Sequence, residues 1–151
     1  MKQKTNIFVI VRLMIGVFFV ISGGYKLLSP YGNFLYVVQS YDLLPLFLEG
    51  AAAAVVPWVE YLVGMFVVLG LWLKPSFQGL RLLLVVFILT VSQAILRDLP
   101  LEECGCFGDL FSIPLRDVLL MDTALLLLAS LLIKNIEKTK ILSLDSFFEK
   151  K

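Results

Sequence analysis

Long apolar runs separated by short polar segments dominate this chain of 151 residues. A helix needs about 20 mostly apolar residues to cross the roughly 30 Å hydrocarbon core of a bilayer. Four runs reach that length and predict four transmembrane helices: Ile7–Leu28, about Leu46–Leu73, Gly79–Leu96 and Ile113–Ile133. We therefore expect an all-α, polytopic membrane protein, with a four-helix transmembrane domain over residues 1–134 and a short charged cytoplasmic tail over residues 135–151.

The segment between the first two runs has a different character. It reads YGNFLYVVQSYDLLP from Tyr31 to Pro45, which is too short and too polar to span a membrane. Its aromatic residues are typical of the membrane interface. The pattern predicts a short amphipathic helix that lies in the outer interface.

Composition agrees with a membrane location. Hydrophobic residues make up 60% of the chain, charged residues 17%, and the net charge is +1. No basic patch with interleaved aromatics is present, so we expect lipid rather than nucleic acid as the surroundings. The N-terminal run is longer than the apolar core of a signal peptide and contains Arg12, so it is interpreted as the first helix.

The distribution of lysine and arginine predicts the orientation, because these residues favour the cytoplasmic side. Most of them gather at one end of the predicted spans: Lys2, Lys4, Lys74, Arg81, Lys134, Lys138, Lys140, Lys150 and Lys151. Lys26, Arg97 and Arg116 fall at the other end. We expect both termini in the cytoplasm, the protein in the inner (cytoplasmic) membrane, and the loop between spans three and four outside.

That outer loop contains the two cysteines, in the sequence LEECGCFG. Disulfides form and persist outside the cytoplasm. The glycine between the cysteines allows a sharp turn, so a small and strained disulfide ring can close, and strain makes it more reducible. The candidate redox pair is Cys104 and Cys106, and the supporting residues of the loop are Gly105, Phe107, Gly108, Arg97 and Arg116.

Neighbouring charges act on these thiols in opposite directions. Arg97, Arg116 and the start of the last span favour a thiolate, whereas the acidic residues of the loop disfavour it. Because the chain has no histidine and two cysteines, a closed zinc site would need carboxylates, and we expect no stable metal site. Transient capture of a soft metal ion, or two buried structural cysteines, are the alternatives.

Four ionisable residues interrupt the apolar runs or their ends: Arg12, Lys26, Glu60 and Asp122. A charge near the bilayer centre costs about 2.5 to 3.5 kcal/mol on insertion scales, so Glu60 should face the bundle interior, and Asp122 poses the same question, whereas Lys26 marks the end of the first helix at the outer interface. Arg12, Lys26, Ser92 and Gln93 are the candidate partners of Glu60. A structural ion pair and a functional site are both open interpretations.

Taken in order, these features resemble the MauE branch of the DoxX-like membrane proteins over roughly residues 7–133. The resemblance depends on an ordered set rather than on any single element. It includes Arg12, Gly16, SGGYKLLSP, YDLLP, PWVE with Glu60, Gly64, Gly70, LRD with Arg97, CGCFG with Cys104 and Cys106, and LRDVLLMD with Asp122.

The resemblance implies a four-helix membrane protein with a redox-associated role. MauE is linked to methylamine utilisation, where it resembles an assembly factor that works with a thioredoxin-like partner in maturing a disulfide-rich enzyme. Carried over, Cys104 and Cys106 would be the redox pair, and Arg12, Glu60 and Asp122 would be polar sites within the bundle.

The leading hypothesis is thus thiol–disulfide exchange with a thioredoxin-like or secreted redox protein on the extracytoplasmic side. A membrane quinone is a candidate electron acceptor by fold-level analogy with other four-helix thiol oxidases. The alternatives are a non-catalytic membrane subunit or assembly chaperone, and a transporter of soft metal ions lined by Glu60 or Asp122.

Overall fold

The structure is a computed structural model that describes residues 2–99, 114–139 and 143–145, with side chains from Ile7 onward. The described part is all-α, as predicted. Its helices, in chain order, are α1 (Lys2–Leu28), α2 (Tyr31–Ser40), α3 (Leu46–Leu69), α4 (Leu73–Leu96), α5 (Leu115–Lys134) and α6 (Ile136–Thr139).

Three helices are long and apolar enough to cross a membrane: α1 from Ile7 onward, α3 and α4. Such a set is typical of a multi-pass membrane protein. The predicted short helix between the first two spans is present as α2. Helix α5 has 20 residues, and its four charged residues, Arg116, Asp117, Asp122 and Lys134, put three charges into every 18-residue window. A fourth span at α5 therefore stays a prediction.

The turn between α3 and α4 is tighter than the sequence predicts. Helix α3 ends at Leu69, because Gly70 adopts a left-handed conformation with φ 69° as its C-cap. Helix α4 begins at Leu73 rather than Gly79. Pro75 is tolerated in its first turn, because a backbone N–H at that position has no helical partner and its absence costs no hydrogen bond. The Asp145 carboxylate accepts the backbone N–H groups of Trp72 and Leu73 at 2.8 and 2.9 Å.

Helices α1 and α3 pack closely in antiparallel fashion, and small residues make this approach possible. A Cβ placed on Gly23 would lie 2.6 Å from the Tyr61 backbone nitrogen, and one on Gly64 would lie 2.8 Å from the Val20 nitrogen. Gly16 faces Val68 in the same way. This backbone contact brings the polar residues of α1 and α3 within reach of each other.

The two ends of the bundle have different partners. At one end, here called the Tyr41 end, Tyr41 packs with Val91, Ala94 and Leu115, and Leu99 lies against the same cluster. At the other, here called the Arg12 end, α1 meets α6 and the α3–α4 turn. Helix α4 thus finishes, and α5 begins, at the Tyr41 end.

Candidate functional site

A buried ion pair joins α1 to α3. The Lys26 ammonium lies 2.6 Å from Glu60 Oε2, and both side chains are almost fully buried. The Ser22 hydroxyl donates to Glu60 Oε1 at 2.8 Å, and Lys26 also donates to Ser22 at 3.3 Å. Because Lys26 is two residues from the end of α1, snorkelling would take its ammonium out to the interface. It binds Glu60 instead.

Asp122 of α5 adds a second carboxylate to this region. Its side chain is buried, and its charge interacts with those of Glu60 and Lys26. Among the described residues, its Oδ2 atom has no hydrogen-bond partner. Asp122 is therefore a second carboxylate near the Lys26–Glu60 pair, and the four residues Ser22, Lys26, Glu60 and Asp122 are called the cavity cluster below.

The cluster adjoins a cavity of about 170 Å³ between α2, α3 and α4. Lys26 is on its wall, with the ammonium 5.3 Å from the centre of the Phe34 ring and 5.5 Å from that of Phe87. Both distances are within the range of cation–π attraction. Most of the remaining wall is aliphatic, apart from Tyr41 and Thr90. A mostly apolar space with a few polar groups is typical of a small-molecule site.

Tyr41 lines the cavity and also belongs to the hydrophobic cluster at the Tyr41 end of the bundle. Its backbone carbonyl accepts a hydrogen bond from the Gln93 side chain at 2.8 Å. Burial, and then the nearby Asp122 carboxylate, raise the pKa of Tyr41 to about 12, so the phenol stays protonated at neutral pH. Next to it, Asp42 binds Arg97 at 2.8 Å in an ion pair that is largely exposed.

Arg12 belongs to a different group at the Arg12 end. Its guanidinium is buried and donates to the Thr139 backbone carbonyl at 2.8 Å, and the Asp145 carboxylate attracts it. The Asp145 backbone N–H in turn donates to the Gly70 carbonyl at 3.1 Å. Arg12, Gly70, Thr139 and Asp145 are called the terminal cluster below.

The predicted site residues therefore separate into three groups. Lys26, Glu60 and Asp122 come together, Arg12 lies apart from them, and Arg116 is exposed in the first turn of α5. The redox pair Cys104 and Cys106, with Gly105, Phe107 and Gly108, lies outside the described residues. Of the four candidate partners of Glu60, the structure assigns Lys26.

Sequence reasoning missed two members of the site. Ser22 is four residues before Lys26 on α1, and that spacing places both on one helix face. The signal was therefore available. Tyr41 was interpreted as part of an aromatic interfacial belt, and nothing in the local pattern predicts that its side chain is buried against α4 and α5.

Metal ligands are not concentrated in the described part of the chain. No group of three or more His, Cys, Asp or Glu side chains within residues 2–99, 114–139 and 143–145 could hold a metal ion together.

The helices and the buried cluster define a multi-pass α-helical membrane protein with an ion pair in its interior. The family model described as methylamine utilisation protein MauE matches residues 4–135. The chain belongs to the MauE family, which implies a role in methylamine utilisation. No curated protein and no solved structure matches the chain.

Proposed function

We propose that this protein is a membrane thiol–disulfide exchange protein that uses Cys104 and Cys106 on the extracytoplasmic side. The observation that carries the proposal is the Cys-Gly-Cys sequence between α4 and α5 in a chain of the MauE family. In this proposal α5 is the fourth span, the membrane is the inner (cytoplasmic) membrane, and both termini are in the cytoplasm.

The described ends of the cysteine-containing segment support this role. Leu99 and Leu115, on either side of it, pack on the same cluster, so both described ends of the segment lie at the Tyr41 end of the bundle. Arg97, just before the segment, is held by Asp42. The Tyr41 end is also the end that the lysine and arginine distribution assigns to the outside, where disulfides persist.

The exchange balances without another reactant. A thiolate of a reduced partner attacks one sulfur of the Cys104–Cys106 disulfide, which breaks that bond and leaves the other cysteine as a thiolate that takes up a proton. The second partner thiolate then attacks the mixed disulfide. The partner leaves with a new disulfide, and the pair is left as two thiols.

Single cysteine variants test the proposal, because the one remaining thiolate can attack the disulfide of an oxidised partner and form the same mixed disulfide, whereas the second cysteine that would release the partner is missing. We expect Cys104→Ser or Cys106→Ser to form a stable mixed disulfide with an extracytoplasmic thioredoxin-like protein, detected on non-reducing gels and identified by mass spectrometry. The double variant Cys104→Ser/Cys106→Ser is the matched control and should form none.

Three results would overturn the proposal. The first is unchanged oxidation of the partner in cells that carry the double variant. The second is failure of the purified protein to oxidise a reduced thioredoxin stoichiometrically. The third is metal-stimulated uptake that the same variants abolish without any adduct, which would favour transport.

A further inference from the structure

The cavity beside Lys26 provides a second candidate site. It is lined by residues of four helices, including Lys26, Phe34, Ala52 and Phe87, and the exposed Leu43 and Val86 lie at its edge. Val86 belongs to α4, which is long and apolar enough to cross a membrane, and an opening beside an exposed aliphatic residue of such a helix faces lipid rather than water. The occupant should therefore come from the membrane phase.

The Lys26 ammonium indicates what that occupant must carry. An ammonium has three N–H donors, and Glu60 and Ser22 accept two of them. Among the described residues no acceptor takes the third, and the nearest rings, Phe34 and Phe87, both line the cavity. A buried donor without an acceptor is costly. An oxygen acceptor on the ligand would satisfy it.

The charges of the cavity cluster disfavour an anionic ligand in the cavity. Glu60 already neutralises Lys26, and Asp122 adds a further carboxylate that interacts with both. A fatty-acid carboxylate or a lipid phosphate would therefore meet net negative charge in a low-dielectric region, which is unfavourable. A neutral, flat ring with carbonyl oxygens fits better, since its faces pack on the aromatic and aliphatic walls.

We propose that this cavity binds the ring of an isoprenoid quinone, with one ring carbonyl accepting the free N–H of Lys26. The inference rests on the proposed function, because the quinone is then the oxidant that restores the disulfide. Two thiols lose two electrons and two protons and form one S–S bond, while the quinone gains both and becomes a quinol.

The site can be filled by one substitution. Ala52 lines the cavity, whereas Ala54, two residues later on α3, is exposed and outside it. We expect Ala52→Phe to weaken binding of decylubiquinone to the protein in nanodiscs by about tenfold or more, because the new ring occupies the space of the ligand. Ala54→Phe is the matched control and should bind as the natural protein does.

Equal binding by a folded Ala52→Phe variant and by Ala54→Phe would overturn the quinone site, as would absence of decylubiquinone binding to the natural protein. Folding is checked by circular dichroism. If Ala52→Phe does not fold, Thr90→Phe, which also places a ring in the cavity, replaces it in the same binding measurement.

The two proposals fail separately. We expect Ala52→Phe to oxidise one equivalent of reduced thioredoxin but to turn over no further with decylubiquinone present. We also expect Cys104→Ser/Cys106→Ser to bind decylubiquinone normally. If the natural protein fails to oxidise one equivalent of reduced thioredoxin, the exchange function is contradicted. If Ala52→Phe shows full quinone-dependent turnover, the quinone site is contradicted.

Discussion

The cavity cluster and the terminal cluster both bury a cation between helices, but they satisfy it differently. Arg12 is held by the backbone carbonyl of Thr139 in α6 and by the charge of Asp145, both at the Arg12 end. Lys26 is held by side chains of α1 and α3 and still faces a cavity. The comparison teaches that burial of a charge does not by itself indicate a ligand site, because Arg12 and Lys26 are both buried, and of these two it is Lys26 that borders a cavity.

The first prediction removes the charge partner in the cavity cluster and has the largest effect. Glu60→Ala should lower the free energy of unfolding in detergent micelles by about 3 to 5 kcal/mol, because it leaves Lys26 buried without its carboxylate. Glu137→Ala is the matched control, since Glu137 is exposed on α6, and should change stability little.

The double variant Lys26→Met/Glu60→Met sharpens this result. Apolar replacement of both partners often restores or raises stability. We therefore expect it to unfold much like the natural protein and yet to lose quinone-dependent turnover. Normal turnover would mean that the Lys26–Glu60 pair is only structural, as Arg12 is in the terminal cluster.

The second prediction concerns the terminal cluster. Gly70→Ala should cost about 1 to 2 kcal/mol for the left-handed backbone alone. It should cost more because the new Cβ would overlap the Ser143 side chain. Disulfide exchange should remain unchanged in the folded fraction. Gly32→Ala is the matched control, because a Cβ on Gly32 meets no atom within 4 Å.

The third prediction is smaller and tests the cap on α4. Asp145→Ala should lower the unfolding free energy by about 1 kcal/mol, as expected for loss of a capping side chain. Asp145→Asn keeps one oxygen acceptor for the N–H groups of Trp72 and Leu73 and should lose less. Equal losses would mean that the charge opposite Arg12, rather than the cap, is what stabilises this end.

The fourth prediction has the smallest effect on stability. Arg97→Gln should change the unfolding free energy by less than about 1 kcal/mol, because the Arg97–Asp42 pair is largely exposed. If Arg97 favours a thiolate in the adjacent segment, alkylation of the reduced cysteines should shift to higher pH. Arg81→Gln, at an exposed position of α4, is the control and should leave this profile unchanged.

Much of the fold could be predicted from the sequence, because apolar runs of membrane length leave little choice but helix. The ends of the helices were less accessible. The left-handed conformation of Gly70 and the cap from Asp145, which is 75 residues further along, decide where α3 ends and α4 begins. A local pattern cannot reveal a partner so distant in sequence.

The site was predicted in part for a related reason. The cost of a charge in the membrane predicted that Glu60 faces inward, with Lys26 as one of its candidate partners, and the structure brings Lys26, Glu60 and Asp122 together. The same argument applied equally to Arg12, which lies in the terminal cluster. Only the helix register, set by the close approach of Gly23 and Gly64 to the facing helix, separates the two groups. The cavity depends on that packing too.

The most direct test of the central claim is alkylation of the cysteines in intact cells with a membrane-impermeant maleimide, before and after mild reduction. The account predicts that Cys104 and Cys106 resist the reagent at first, because they form a disulfide, and that both react after reduction. Labelling without reduction, or failure to label after it, would contradict an extracytoplasmic redox pair.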